Sequence, residues 1–150
     1  MRTIETIVYK FDELSDAAKE RARDWYREFA LDYEWWEFTY EDAERIGLKI
    51  SEFDTYHGNI KGNLLKSVGE VCGLILQEHG KDTDTYKLAQ TYYARKRTAH
   101  PYDVEDFTHD LLEEYLSMLR QEVDYQLSTE CVDESIRANE YEFTESGKPS

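Results

Sequence analysis

Apolar and polar residues alternate in two terminal stretches and in one central stretch of the chain. The first alternation covers residues 3–11 and is rich in β-branched side chains, which predicts a strand. Residues 49–56 and 59–65 follow the same pattern on either side of a His-Gly-Asn turn, which predicts a β-hairpin. In residues 140–144 two aromatic side chains alternate with acids, which predicts a last strand. Its natural partner is the N-terminal strand.

Most of the remaining chain carries apolar residues at intervals of three and four positions, the spacing of a helix with one buried face. Serines stand directly before two of these segments and, as Ser15 and Ser67, are good N-caps. Gly47 stands where the second segment ends, a position at which glycine closes many helices in a left-handed conformation. The predicted helices cover residues 16–31, 32–47, 68–79, a segment that begins at 82 or 83, 103–127 and 129–138.

Together these elements predict an α+β fold. We expect a small sheet of about four strands, made by the N-terminal strand, the central hairpin and the C-terminal strand, packed against five or six helices. A length of 150 residues suits one domain with a sizeable core, so residues 1–150 are expected to form a single domain. Residues 146–150 are expected to be a disordered tail.

The charge of the chain is strongly negative and unevenly distributed. Its 33 acidic residues outnumber 18 lysines and arginines, for a formal net charge of −15. Residues 103–145 alone hold fourteen acids and two arginines. Like charges repel over about 8 Å at physiological salt, so unassisted binding to nucleic acid or to an anionic membrane is not expected. The excess favours a basic partner or, alternatively, serves only to keep the protein in solution.

Aromatic residues are plentiful, with twelve Tyr, six Phe and three Trp, and this composition predicts a folded acidic chain. The N-terminus lacks the apolar segment of a secretion signal, and no apolar run approaches the roughly 20 residues that span a bilayer. We therefore expect a cytoplasmic protein. The two cysteines, Cys72 and Cys131, lack CxxC spacing and are expected as small apolar thiols rather than as a disulfide.

The helix predicted over residues 103–127 is the main candidate for a binding surface. Acids recur on its outward side at intervals of three and four residues, which places carboxylates roughly 5–6 Å apart. A nucleic-acid duplex presents a comparably dense line of phosphates. A rigid row of carboxylates could therefore enter a basic channel that normally holds nucleic acid. The candidate partner-binding residues are Asp103, Glu105, Asp106, Asp110, Glu113 and Glu114, and further along Glu130, Asp133 and Glu134.

Two further groups are candidates for contacts, each with a plainer interpretation. Neighbours on a helix point about 100° apart, so at least one of Trp35 and Trp36 should be partly exposed or lie under a neighbouring element. An exposed tryptophan is a candidate partner anchor, but a broad core contact is the favoured interpretation. Tyrosines interleave with a basic cluster, as in nucleic-acid-binding surfaces, but neutralisation of the acidic helix that follows is the favoured interpretation. That cluster consists of Lys87, Arg95, Lys96 and Arg97.

No motif for catalysis stands out. The glycine patterns of nucleotide-binding loops, the nucleophile elbow and HExxH are all absent from the sequence. His109 and Glu113 are four residues apart, the spacing of a metal-binding pair on a helix, although an ordinary surface hydrogen bond is the favoured interpretation. A metal-dependent enzyme that uses acids with His109 or His57 stays an alternative. We assign no catalytic residue and expect no metal and no cofactor.

Three segments carry a resemblance to known proteins. They are residues 9–27, YKFDELSDAAKERARDWYR, residues 33–36, YEWW, and residues 136–144, IRANEYEFT. In these segments the chain resembles a family of small proteins encoded in phages and prophages. The resemblance implies a mobile-element setting, in which small acidic proteins often block host defences such as CRISPR effectors and restriction enzymes. It implies no catalytic residues.

The sequence thus leads to one main hypothesis. We predict a phage-encoded, anti-CRISPR-like inhibitor that binds the basic groove of a host nucleic-acid-targeting defence protein or ribonucleoprotein through a surface that mimics nucleic acid. An antitoxin-like or regulatory module that neutralises a basic protein without such mimicry is the first alternative. The metal-dependent enzyme is the second.

Overall fold

The computed structural model describes residues 5–150 and has an α+β fold, as the hydrophobic pattern predicts. Within these residues the chain forms six α-helices and four strands. The strands are β1 (Tyr9–Lys10), β2 (Leu48–Asp54), β3 (Asn59–Leu64) and β4 (Glu142–Phe143). The helices are α1 (Asp16–Arg27), α2 (Glu37–Arg45), α3 (Val68–Glu78), α4 (Asp84–Arg95), α5 (Val104–Gln126) and α6 (Thr129–Ala138).

The four strands form two antiparallel pairs rather than one sheet. β1 pairs with β4, and β2 pairs with β3. The chain divides into two compact units, the first made of residues up to Glu34 together with residues 122–150 and the second of residues 35–121. Each unit contains one of the strand pairs. The single domain expected from chain length stays a prediction.

The first unit packs α1 against α6. Ser15 begins α1 as predicted, because its hydroxyl accepts a hydrogen bond from the N–H of Ala18 (3.2 Å). Ser128 begins α6 in the same way through the N–H of Cys131 (3.3 Å). The small side chains of Ala18 and Ala22 are fully buried and allow close helix packing. The buried core of this unit consists of Phe11, Leu14, Ala18, Ala22, Val132, Ile136 and Phe143.

The N-terminal strand is much shorter than predicted. Residues 3 and 4 lie outside the described residues, residues 5–8 have no regular structure, and only Tyr9 and Lys10 pair with β4. The short partner explains the difference, since α6 ends at Ala138 and Glu140 has a left-handed backbone with φ of 53°. Only two residues beyond it belong to a strand, and the chain after β1 instead forms a 3₁₀ turn, Phe11–Glu13.

The last five residues, for which the sequence predicts disorder, fold back onto β4. The backbone N–H of Ser150 donates to the carbonyl oxygen of Glu142 (2.9 Å), and the N–H of Thr144 donates to that of Lys148 (2.8 Å). Gly147 makes the turn between them with φ of 90° and is buried. The tail therefore belongs to the first unit.

The second unit packs the hairpin and helices α2, α3 and α4 with the larger part of α5. The helix predicted over residues 32–47 begins only at Glu37, because Trp35 and Trp36 lie in a turn and contact β2. Gly47 follows α2 with φ of 85°, as predicted. The buried core consists of Ala43, Ile46, Leu48, Ile50, Val71, Cys72, Ile75, Ala89, Tyr102, Phe107, Leu111, Leu112 and Tyr115.

The hairpin is confirmed and lies close against α5. A Cβ at Gly62 would stand 2.3 Å from the carbonyl oxygen of Lys49 and 3.0 Å from Leu112, so the absence of a side chain permits this approach. At the tip of the hairpin, Arg120 of α5 donates to the carbonyl oxygen of Thr55 (3.2 Å). The one arginine in the acidic stretch of α5 therefore holds the hairpin loop.

The longest helix, α5, has 23 residues and a buried stripe at intervals of four, which includes Phe107, Leu111, Tyr115 and Leu119. Within residues 5–150, neither this helix nor another combines the length and apolar character that crossing a membrane requires.

Both cysteines are free thiols, as expected. Cys72 is fully buried in the core of the second unit, and burial raises the pKa of its thiol to about 12. Cys131 is half-buried in the first unit. Because the thiolate is the reactive form, Cys72 is an inert core residue at neutral pH.

Candidate functional site

The carboxylates predicted as a binding surface lie largely on one side of α5, opposite its buried stripe. Asp103, Asp106 and Glu113 are exposed, and none of them forms an ion pair within the described part of the chain. Glu105 is exposed as well, but the helical spacing places it on another side. The acidic face of α5 is defined here as Asp103, Asp106, Asp110, Glu113 and Glu114.

Asp110 of the acidic face accepts an internal hydrogen bond. Its carboxylate accepts from the hydroxyl of Tyr102, which is buried next to the start of α5. Burial raises the pKa of Tyr102, and the bond to Asp110 raises it further, so the phenol stays protonated and keeps donating. Asp110 therefore helps to fix the first turns of α5 as well as adding charge.

Glu114 lies at the edge of the acidic face and is half-buried. Burial raises the pKa of its carboxyl group, and the nearby carboxylate of Asp84 raises it further. Glu114 consequently binds a proton at a higher pH than an exposed glutamate does. The acidic face therefore loses the charge of Glu114 at a higher pH than it would with an ordinary glutamate there.

The three candidate acids of α6 differ in their surroundings. Glu130 and Glu134 are exposed. Asp133 instead accepts from Nε (2.7 Å) and Nη2 (3.0 Å) of Arg23 in α1, and both side chains are less than a fifth exposed. The bond to Asp133 is the main reason why the pKa of Arg23 is raised. Asp133 thus joins α1 to α6 and is already neutralised.

The basic cluster does not neutralise α5 through ion pairs in the described residues. Nζ of Lys87 lies 3.9 Å from Oδ1 of Asp84, which belongs to the same helix. Arg95 donates to the carbonyl oxygen of His100 (2.8 Å) and stacks over the ring of Tyr102 at 5.1 Å. The remaining two residues, Lys96 and Arg97, are exposed. The expected neutralisation is replaced by a local role of Arg95 in shaping the loop before α5.

Trp35 and Trp36 belong to a half-buried aromatic cluster. Both rings meet Phe53 of β2 edge-on, with centroid distances of 5.6 and 5.9 Å, and Tyr40 meets it at 6.0 Å. The tryptophans are therefore held by packing and present only part of their surface to solvent. Phe38 of α2 is 82% exposed and was not among the contact candidates that the sequence offered.

A groove lies between α5 and the hairpin. Its first hollow, about 700 Å³, has mostly apolar exposed surface but is also lined by Lys66 and Glu105, and its second, about 520 Å³, is lined by acidic residues, Phe53 and Lys61. His109 lines both hollows, so they are neighbours along α5. His109 and Glu113 share the second hollow, yet no group of three or more His, Cys, Asp or Glu side chains able to hold a metal occurs in residues 5–150.

A buried polar network in the second unit was missed entirely by sequence reasoning. Asp42 accepts from the hydroxyl of Tyr115 (2.7 Å) and contacts Nε2 of His79 (3.0 Å), while Nδ1 of His79 lies 2.5 Å from the hydroxyl of Thr85. The order carboxylate, imidazole and hydroxyl is that of a hydrolytic triad. Because Thr85 is fully buried, its hydroxyl cannot reach a substrate. The network instead ties α2, α4 and α5 to the end of α3.

The network predicts a loss of stability in acid. The hydrogen bond with His79 holds the pKa of Asp42 below its ordinary value, and the bond with Tyr115 lowers it further. A depressed folded-state pKa contributes stability above about pH 4 that disappears as the pH falls through the lowered pKa. We expect the urea midpoint of the wild type to decline as the pH falls below about 4. The midpoint of Asp42→Asn should decline less, because this variant has no carboxyl group at position 42. Parallel pH curves for the two proteins would contradict this role of Asp42.

No protein-family model, curated protein or solved structure matches the chain. The resemblance to phage and prophage proteins in residues 9–27, 33–36 and 136–144 stays a prediction. The acidic face, the groove and the aromatic cluster are the surface features from which a function can be argued.

Proposed function

We propose that this protein inhibits a host nucleic-acid-targeting defence complex by placing the acidic face of α5 in the basic groove that the complex uses for nucleic acid. The observation that carries the proposal is the exposure of Asp103, Asp106 and Glu113 without internal ion pairs in residues 5–150. Carboxylates that are not neutralised internally attract lysines and arginines of a partner with their full charge.

The scaffold supports this role because it holds the carboxylates on one continuous helix. The buried stripe of α5 fixes the rotation of the helix about its axis. Tyr102 binds Asp110 near the start of the helix, and Arg120 binds the hairpin loop farther along it. A rigid surface loses little conformational entropy on binding. The net charge of −15 adds long-range attraction to a basic groove and repels free nucleic acid. We place the inhibitor in the cytoplasm of a bacterial host.

A transformation assay in cells with an active RNA-guided or restriction defence tests the proposal. We expect the wild-type protein to raise the transformation efficiency of a targeted plasmid, and the double variant Asp106→Lys/Glu113→Lys to lose this protection. Both positions are exposed, so the substitutions should leave the fold intact. Each reversal exchanges an attraction for a repulsion worth on the order of 1 kcal/mol, so affinity should fall at least about tenfold.

The matched control is Glu41→Lys/Glu44→Lys, which changes the net charge equally at two exposed positions of α2. It should protect as well as the wild type if the acidic face, rather than overall acidity, is what the partner recognises. Full protection by Asp106→Lys/Glu113→Lys would remove the acidic face from the mechanism. Binding to the captured complex should also weaken as salt rises, because the attraction is screened.

A further inference from the structure

The groove between α5 and the hairpin offers a partner a contact of a different kind from the acidic face. The apolar side chains of its first hollow are Leu64, Val68 and Leu112, with Val104 half exposed (50%) at the start of α5. One lysine, Lys66, and one acid, Glu105, also line this hollow. Covering apolar surface of this kind stabilises a complex by about 25 cal/mol per Å². Its volume of about 700 Å³ is in the range of pockets that take up ligands.

The second hollow is acidic and aromatic. Glu52, Asp54 and Glu113 bring three carboxylates to it, and Phe53 brings an aromatic ring. Lys61 is the one lysine or arginine of this lining, and its ammonium group is paired with Glu52 at 3.0 Å. Asp54 is 2.6 Å from Nδ1 of His57, so Glu113 is the carboxylate of this hollow that has no ion pair in residues 5–150. Carboxylates together with an aromatic ring suit a lysine ammonium or an arginine guanidinium.

The two hollows follow each other along α5. His109 lines both, and Glu113 in the second hollow stands one turn beyond it. A chain that lies along α5 can therefore place one side chain in the apolar hollow and a later one in the acidic hollow. A phosphate backbone does not suit the groove, because four acids (Glu52, Asp54, Glu105 and Glu113) line it against two lysines (Lys61 and Lys66).

We propose that the groove binds a segment of the partner in which a large apolar side chain is followed by a lysine or arginine. The inference rests on the proposed function and deepens it, because it names the segment by which a basic partner is recognised. The acidic hollow selects against acidic segments, and the apolar hollow selects against segments that carry positive charge alone.

Fluorescence anisotropy with defined peptides tests this inference on the full chain. The probe is a fluorescein-labelled peptide of leucine and lysine, compared with a leucine–glutamate peptide and a lysine-only peptide. We expect the leucine–lysine peptide to bind with clearly higher affinity than the other two peptides. Val104→Asn removes an apolar contact, and Glu52→Gln removes a carboxylate. Each variant loses one contact with the peptide, so its affinity should fall about tenfold.

The controls make comparable changes at exposed positions outside the groove. Tyr125 lies on the same helix as Val104 with 52% exposure, and Glu44 is an exposed acid of α2 outside the groove, so Tyr125→Asn and Glu44→Gln should bind the peptide like the wild type. Failure of the leucine–lysine peptide to bind, equal binding of the lysine-only peptide, or wild-type affinity of Val104→Asn overturns the groove as a docking site.

The transformation assay separates this inference from the proposed function. Loss of protection in Val104→Asn and Glu52→Gln supports the groove. If these variants protect fully while Asp106→Lys alone, a reversal outside the groove, does not, the groove is overturned and the acidic face stands. The single reversal is needed here because Glu113 also lines the acidic hollow. If the double reversal protects fully, the proposed function fails whatever the peptides do.

Discussion

Asp42→Ala should lower the free energy of unfolding of the second unit by about 3 kcal/mol. The carboxylate accepts from Tyr115, which is fully buried, and contacts Nε2 of His79, whose side chain is 7% exposed. Removing it leaves two buried polar groups without this partner, and each costs about 1–3 kcal/mol. The side chain of Asp42 is one-third exposed, so water can hydrogen-bond to part of the site after the carboxylate is removed. The total cost is therefore expected near the lower end of the summed range for the two groups.

Urea unfolding followed by tyrosine and tryptophan fluorescence measures this change. Glu41→Ala is the control, because Glu41 is the exposed neighbour of Asp42 on the same helix. Tyr115→Phe should cost only about 1 kcal/mol, since it removes one hydrogen bond and leaves the contact between Asp42 and His79. Equal midpoints for Asp42→Ala and Glu41→Ala would show that the carboxylate does not hold the network together.

Local signals predicted the helices well. Ser15 and Ser67 each accept the hydrogen bond that an N-cap makes, and the helices begin at the next residue. Gly47 has the left-handed conformation expected after a helix. The apolar stripe of α5 was visible at four-residue spacing because a helix that packs on one side must repeat that spacing. These features depend on neighbours in sequence, which a single chain displays directly.

Elements that depend on distant partners were predicted less well. The alternation in residues 3–11 cannot reveal that β4 offers only two residues for pairing. The helix expected from residue 32 begins late because the two tryptophans meet Phe53, a contact that local propensity does not encode. Asp42 and Tyr115 are 73 positions apart, so no spacing rule could connect them.

The candidate site shows the same division. Exposure of Asp106 and Glu113 follows from helical geometry and was predictable. The pairing of Asp133 with Arg23 spans 110 positions and could not be anticipated. The groove depends on the hairpin lying against α5, so its two hollows have no signature in the sequence. Sequence patterns thus located the charged residues, while the packing decided which of them are neutralised internally.

Gly147→Ala should destabilise the first unit by about 3 kcal/mol or more. Gly147 is buried, and its φ of 90° is strained for any residue with a side chain. A Cβ built there would lie 2.1 Å from the carbonyl oxygen of Ala18 in α1. The variant must therefore either shift α1 or release the turn that returns the last residues to β4. Backbone strain and steric overlap each cost about 1–3 kcal/mol.

Gly80→Ala is the matched control for this prediction. The nearest atom to a Cβ at Gly80 is Cγ2 of Thr83 at 3.9 Å, and its φ is not in the left-handed range, so the change should stay within about 0.5 kcal/mol. Urea unfolding measures both variants, and hydrogen exchange of the Thr144 and Ser150 amides reports whether the turn has opened. Because those amides donate to Lys148 and Glu142, their protection should be lost in Gly147→Ala. Wild-type stability and intact protection in this variant would mean that the last residues do not pack against α1 as described.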